Sequence, residues 1–170
     1  ILTVNKQLQY IQDKKLGFNK EQILVVQLPD RSSRQKIDVL KNELLKNSDI
    51  ISVSATSNIP GERIPFLTVR IPDDNQEQME GSGENEDDSF TMRTWSSGYD
   101  FLKTLGVEIS GGRDFSKEYG TDEQSGFIVN ETAVRELEIE NPIGHDFEYL
   151  YGLPEPKRGK IIGVVKDFHY

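Results

Sequence analysis

Apolar positions follow one rhythm before residue 60 and another after it. Val4, Leu8 and Ile11 stand at helical spacing, with Gly17 just beyond Leu16 at the place of a left-handed C-terminal cap. Ile23-Leu24-Val25-Val26-Gln27-Leu28 is a nearly continuous apolar run stopped by Pro29-Asp30, the pattern of a strand covered on both faces. Ser32-Ser33 offers a helix N-cap, and Ile37, Leu40, Leu44 and Leu45 mark one face of a helix ending near Asn47. Ile51, Val53 and Ala55 then alternate as a strand until Asn58-Ile59-Pro60-Gly61 breaks the pattern. Residues 23–55 therefore predict a βαβ unit, with a crossover long enough to join parallel strands.

Beyond Gly61, Leu67, Val69 and Ile71 alternate, as do Phe90 and Met92, which predicts two strands flanking the stretch between them as a long hairpin. Tyr99 to Leu105 reads as a short helix closed by Gly106, followed by a brief strand at Val107 to Ser110 and a Gly111-Gly112 turn. Phe127 to Val129 is a short strand, and Asn130 caps a helix running from Glu131 to about Glu138. After the Asn141-Pro142-Ile143-Gly144 turn come two strands, about Asp146 to Tyr151 and Lys160 to Asp167.

Charge sharpens one part of this picture. The 170 residues carry 29 acids against 20 bases, a net charge of -9. Eight of those acids (Asp73, Asp74, Glu77, Glu80, Glu84, Glu86, Asp87, Asp88) lie between Pro72 and Ser89, with no Lys or Arg among them. Such a block, with Gly81-Ser82-Gly83 inside it, reads as a disordered acidic loop at about 72–89 that stays hydrated. The D-x-[DN]-x-[DN]-G spacing of a calcium loop is absent. The acidic balance argues against a nucleic-acid partner, since phosphate neutralisation needs clustered Lys and Arg. The absence of Cys removes thiolate catalysis, zinc-thiolate sites and disulfide frameworks. The longest aliphatic run, Ile23 to Val26, falls far short of the ~20 residues of a membrane-spanning helix, so the chain as written reads as a soluble piece of a longer protein that starts at Ile1.

Signatures of catalysis and cofactor binding do not appear. There is no phosphate-binding loop, no dinucleotide fingerprint, no G-x-S-x-G elbow and no H-E-x-x-H helix, so no cofactor and no metal is expected. His145 and His169 have surface or hydrogen-bonding roles as their plainer reading. Gly111-Gly112-Arg113-Asp114-Phe115 is the most unusual local feature. Two glycines allow a tight corner from which Arg113 reaches back to a carboxylate or carbonyl while Phe115 packs, a structural motif rather than a ligand site. Asn130-Glu131-Thr132 matches a glycosylation sequon, but Asn130 is better used as a cap, and Trp95 reads as core or interface. Ile64, Pro65 and Phe66 are the candidates for contact with a partner, as apolar groups in a loop.

Several segments in order resemble one family. The stretch from Tyr10 to Val26, then Asp100-Phe101-Leu102-Lys103-Thr104-Leu105-Gly106-Val107, then Gly112-Arg113-Asp114-Phe115-Ser116, Val129-Asn130-Glu131-Thr132-Ala133-Val134, Asn141-Pro142-Ile143-Gly144 and the run from Ile161 to His169 resemble the MacB-like periplasmic core domain of FtsX-type ABC transporter permeases, in a form frequent in Bacteroidetes. The resemblance implies an α+β fold of two lobes. One is a partial porter-like βαβ lobe with an N-terminal stalk helix in residues 1–60, and the other an inserted, strand-rich Sabre-like lobe in residues 61–170. It implies a periplasmic domain of an inner-membrane protein, a non-enzymatic relay and docking module. Its partners would be an ABC ATPase domain or subunit in the cytoplasm, a second permease copy and a periplasmic partner. Family members usually continue past the Phe168-His169 position into a further strand and helix. This chain stops at Tyr170, which would leave strand edges free to pair with a second copy. Two other readings stand beside this one: a stand-alone binding module with a ligand between the lobes, and an acidic-cleft hydrolase with two carboxylates within about 10 Å.

Overall fold

A computed structural model describes residues 17–19, 22–59, 61–72, 89–150 and 156–168. The stalk helix, the acidic stretch at 73–88 and His169 lie outside these residues. The fold is α+β: short helices accompany a six-stranded, mostly antiparallel sheet. Its strands are β1 (Phe66–Arg70), β2 (Ser89–Arg93), β3 (Ile109–Gly112), β4 (Gly126–Asn130), β5 (Asp146–Tyr149) and β6 (Lys157–Val165). The helices are α1 (Arg31–Gln35), α2 (Ile37–Leu44), α3 (Phe101–Leu105), α4 (Asp122–Ser125) and α5 (Glu131–Glu136).

Strand β6 joins everything else. Its first residues pair antiparallel with β5, from Tyr149 opposite Lys157 to Asp146 opposite Lys160. Its last three pair antiparallel with β3. Residues Lys160 to Val165 also pair in parallel with β4. A strand has two edges, so β5 and β3 follow one another along the edge opposite β4. Beyond β5, β1 pairs through Val69 and Arg70, and β2 completes the expected hairpin, Leu67 opposite Met92 and Val69 opposite Phe90.

Consecutive residues of a strand face opposite ways, and β6 is covered on both sides. Val164 and Ile161 join Val69, Val129, Leu137, Ile139 and Phe147 in one core, closed by Ala133 and Val134 of α5. Val165 joins Phe101, Leu102, Leu105, Val107 and Phe168 in a second. Trp95 seals that second core, its ring edge-to-face with Phe101 at 6.4 Å and Phe168 at 6.0 Å. Gly106, at φ 67, ends α3 in the left-handed conformation that the sequence predicts. Asn130 caps α5 by accepting from Ala133 N at 3.0 Å. The carboxylate of Asp167, just past β6, accepts from Asn130 Nδ2, Thr132 N and Thr132 Oγ1 at 2.6, 2.9 and 2.7 Å. That strand and that helix start are thereby tied together.

The first sixty residues depart from expectation. The helix forms as two pieces parted at Lys36, and its cap is Asp30 rather than Ser32-Ser33. Asp30 Oδ1 accepts from Ser33 N at 2.8 Å and Oδ2 from Ser33 Oγ at 3.0 Å, so the earlier carboxylate takes the acceptor role and the serine becomes its donor. The two strands of the expected βαβ unit do not form: residues 23–28 and 51–55 belong to no strand. Leu24, Val26 and Ile51 are 86, 63 and 87% exposed. Parallel strands are stable when sheet neighbours and both faces are covered, and among the described residues no strand lies beside these two segments. Gly111-Gly112 is also displaced, forming the end of β3, with a register shift after Ile109, instead of a free turn.

The Asp167 ties give a testable energy. Burial pushes its carboxyl pKa up, but the hydrogen bonds from Thr132 outweigh that and hold it below 3.8. A carboxyl depressed on folding contributes stability above its unfolded value, and that contribution is lost as pH falls through the folded value. Asp167→Asn should lower urea stability by about 1 kcal/mol at pH 7, and the gap to the parent should shrink below about pH 4.

Candidate interaction surface

The Gly111 to Phe115 segment turns where β3 leaves β6. Gly112 has φ 68, and a Cβ there would lie 2.3 Å from Ile162 O; a Cβ on Gly163 would lie 2.3 Å from Arg113 O. Only glycines let the two backbones approach this closely. Arg113 N donates to Ile162 O at 3.0 Å, which aims the side chain away from the sheet toward α4. There Nη1 and Nη2 grip Asp122 Oδ2 and Oδ1 at 2.5 and 2.8 Å, and Nη1 also donates to Asp114 O at 3.1 Å. Ser116 N adds a donor to Asp122 Oδ2 at 3.0 Å, and the guanidinium lies 3.7 Å from the Tyr119 ring centroid. Asp122 is 3% exposed, and the Arg113 bonds hold its carboxyl below the usual carboxylate range. Phe115 sits half-buried beside this grip. Every strong group of the corner is engaged internally, which makes it a strut.

A second buried carboxylate, Glu148, lies on the polar face of the sheet. In register, Arg70 of β1 and Arg158 of β6 flank it on adjacent strands. Arg70 Nε and Nη2 donate to Oε2 at 2.9 and 2.5 Å, and Arg158 Nε reaches Oε1 at 2.6 Å. On the same face of β1, four residues before Arg70, the Phe66 ring is 60% exposed under the Arg93 guanidinium, 4.8 Å away. Of the three expected contact residues, Pro65 and Phe66 are exposed, whereas Ile64 is turned inward at 5% exposure. Ile64 is therefore a core side chain and offers no surface; β1 begins two residues later, and burial already starts with it.

Sequence reasoning had no signal for Asp122. Glu148 was legible only through the Asp146-Phe147-Glu148-Tyr149 alternation, which sets it on the face opposite the buried Phe147. His145 Nδ1 lies 3.1 Å from Asp146 O, a local contact. Among the described residues no group of three His, Cys, Asp or Glu is placed to hold a metal ion. Asp114 is the carboxyl that comes nearest to a catalytic profile: burial, with some help from the Asp100 charge, pushes its pKa above 3.8. Its Oδ1, however, accepts from Phe115 N at 2.7 Å, and Asp100 is ion-paired with Lys41 at 3.8 Å.

No family model matches the chain, and comparison with curated proteins gives no match. Among solved structures, the periplasmic region of MacB from Actinobacillus actinomycetemcomitans superposes over 75% of this chain with a TM-score of 0.51 at 20% identity. The chain spans about half of that structure, 49% of its length. A domain assigned to a permease protein from Porphyromonas gingivalis overlaps over 69% of this chain and 52% of its own, at 14% identity and a TM-score of 0.39, too low to speak for a shared fold. Over that overlap the chain shares the fold of part of the MacB periplasmic region. Among the described residues no helix is long and apolar enough to cross a membrane.

Two substitutions read the corner. Arg113→Ala strands the Asp122 carboxylate, and unfolding free energy should fall by about 3 kcal/mol; Arg113→Lys, which cannot form the fork, should recover only part of it. Asp114→Asn should act the other way. A carboxyl raised on folding costs stability as pH climbs through its folded value, so the amide, which keeps an acceptor for Phe115 N, should raise the melting temperature at pH 7 and leave it unchanged near pH 3.

Proposed function

We propose that the chain is the periplasmic domain of an ABC transporter permease, held outside the inner membrane, where it works as a non-catalytic relay and docking module. The observation that carries this reading is the fold shared with the periplasmic region of MacB, which the ordered sequence segments support independently. In this reading residues 1–60 belong to a porter-like lobe beside the membrane and residues 61–170 to an inserted Sabre-like lobe. ATP is hydrolysed by an ATPase domain or subunit in the cytoplasm, and the membrane helices carry the motion outward. A second permease copy stands beside the first, and a periplasmic partner docks on the strip around Pro65 and Phe66. The internally saturated Arg113–Asp122 strut suits a part that must transmit force rather than bind a ligand.

These 170 residues hold no cysteine, so in a permease background whose other cysteines are replaced, one introduced thiol reports its side of the membrane. In the intact permease, Glu123→Cys should react with a membrane-impermeant maleimide added outside the inner membrane; labelling only after lysis would overturn the periplasmic placement. Phe66→Asp should change stability by less than about 0.5 kcal/mol, as expected of an exposed site. It should also reduce partner-dependent stimulation of the permease while leaving basal ATP hydrolysis intact.

A further inference from the structure

Residues 29–50 are held differently from their surroundings. Neither α1 nor α2 contains a buried residue, and Val39, Leu40 and Leu45 are exposed. Yet the chain on both sides is firmly anchored. Before it, Asn19 N donates to Leu105 O at 2.7 Å, and Phe18 and Ile23 pack on the aromatic core. After it, residues 55–57 zip against 96–98: Gly98 N donates to Ala55 O at 2.7 Å, Ser57 N to Ser96 O at 2.8 Å, and Thr56 bridges Ser97. Ser54 Oγ donates to Tyr99 O at 2.9 Å and Ser52 Oγ meets Thr104 Oγ1 at 2.7 Å, extending that zip toward the helices.

One stripe of α2, Ile37, Lys41 and Leu44, is half-buried, and the polar contacts of the helices with the body are made by two lysines that converge on Tyr99. Lys41 Nζ approaches Tyr99 O at 3.5 Å and Asp100 Oδ2 at 3.8 Å. From the other side, Lys117 Nζ lies 5.6 Å from the Tyr99 ring centroid and 3.5 Å from Asp38 Oδ1. All are long contacts, at or beyond the edge of useful hydrogen-bond length. The Lys117–Asp38 pair is exposed, and such a pair favours its closed state by no more than about fivefold. A segment fixed at both ends and weakly held at its middle is the arrangement from which local opening is drawn.

We propose that α1 and α2 form a tethered flap, closed on the sheet body by a two-lysine clasp centred on Tyr99, which opens while Phe18, Asn19, Ile23 and residues 55–57 stay anchored. The inference stands apart from the transporter reading, since it needs only the contacts of this chain. Opening would uncover the side of α2 that carries Lys41 together with the Tyr99-Asp100 turn.

The test places spin labels at Asn42→Cys on α2 and Lys103→Cys on α3, both exposed. A control pair at Lys103→Cys and Glu123→Cys lies within the body. Distance distributions are recorded in low salt and in about 1 M NaCl, where the screening length falls to about 3 Å. They are recorded again in low salt with Asp38→Asn and Asp100→Asn added. Asn tolerates the left-handed φ of 66 at position 100, and the Asp100 side chain makes no cap bond, so the substitution removes charge alone. The flap pair should gain a long-distance population, raised at least about threefold by salt and by the double variant, while the control stays sharp. No gain in salt, which leaves the sequence of the clasp untouched, would overturn the proposal. Equal broadening of both pairs would overturn it too, because it would report loosening of the whole molecule.

Discussion

The structure depends on one nine-residue strand meeting more neighbours than a strand usually meets. β6 offers one edge to β4 over its last six residues and divides the other between β5 and β3. It also separates two apolar clusters, so it needs large aliphatic side chains on both faces and almost none where other backbones cross it. Its sequence, Lys157-Arg158-Gly159-Lys160-Ile161-Ile162-Gly163-Val164-Val165, meets both demands. A Cβ at Gly159 would fall 1.9 Å from Ser125 O and one at Gly163 2.3 Å from Arg113 O. The strand's two glycines are where the α4 end and the β3 corner press on the sheet, and the same approach that excludes a side chain positions Arg113 for Asp122.

Two buried carboxylates are handled in different ways. Asp122 has one guanidinium in a bidentate grip plus a backbone N–H, a local solution closed within ten residues of chain. Glu148 has two guanidinium groups from neighbouring strands, a solution that exists only when β1, β5 and β6 are in register. Desolvating an ion costs several kcal/mol unless its partners are well placed, so a slip of either neighbour would strip Glu148 of one of its two arginines. The Arg–Glu–Arg row therefore specifies strand register as well as contributing stability, since a one-residue shift would turn an arginine to the wrong face.

How much of this could be read in advance follows physical lines. Local signals were legible: the β1–β2 alternation, Gly106 behind α3, Asn130 before α5 and the double-sided apolar run of β6 each depend on residues close in sequence. That residues 23–28 and 51–55 form no strand was not legible, because apolar alternation says that a segment can enter a sheet and not whether a partner strand lies beside it. Phe66 and Ile64 show the same limit at single-residue scale, two apolar residues two positions apart with opposite fates. The corner residues drew notice through their glycines, yet the partner Asp122 sits among Thr121, Glu123 and Gln124, where nothing local marks it out. Glu148 and the Lys41–Tyr99 contact depend on tertiary neighbours 78 and 58 residues away.

The place of β6 in the chain sets the order in which the molecule can be assembled. Synthesis proceeds from the N-terminus, so β1 to β5 all leave the ribosome before the strand that unites them, and the parallel β4–β6 pairing waits for a connection of more than twenty-five residues. Until then the β2–β1–β5 ladder and the short helices have partners, while β3 and β4 have none among the described strands. Such long-range pairing is slow, and the waiting strands keep open edges. Closure of the sheet is therefore a late event: until β6 emerges, β4 and the β5 edge carry backbone groups that only this strand covers.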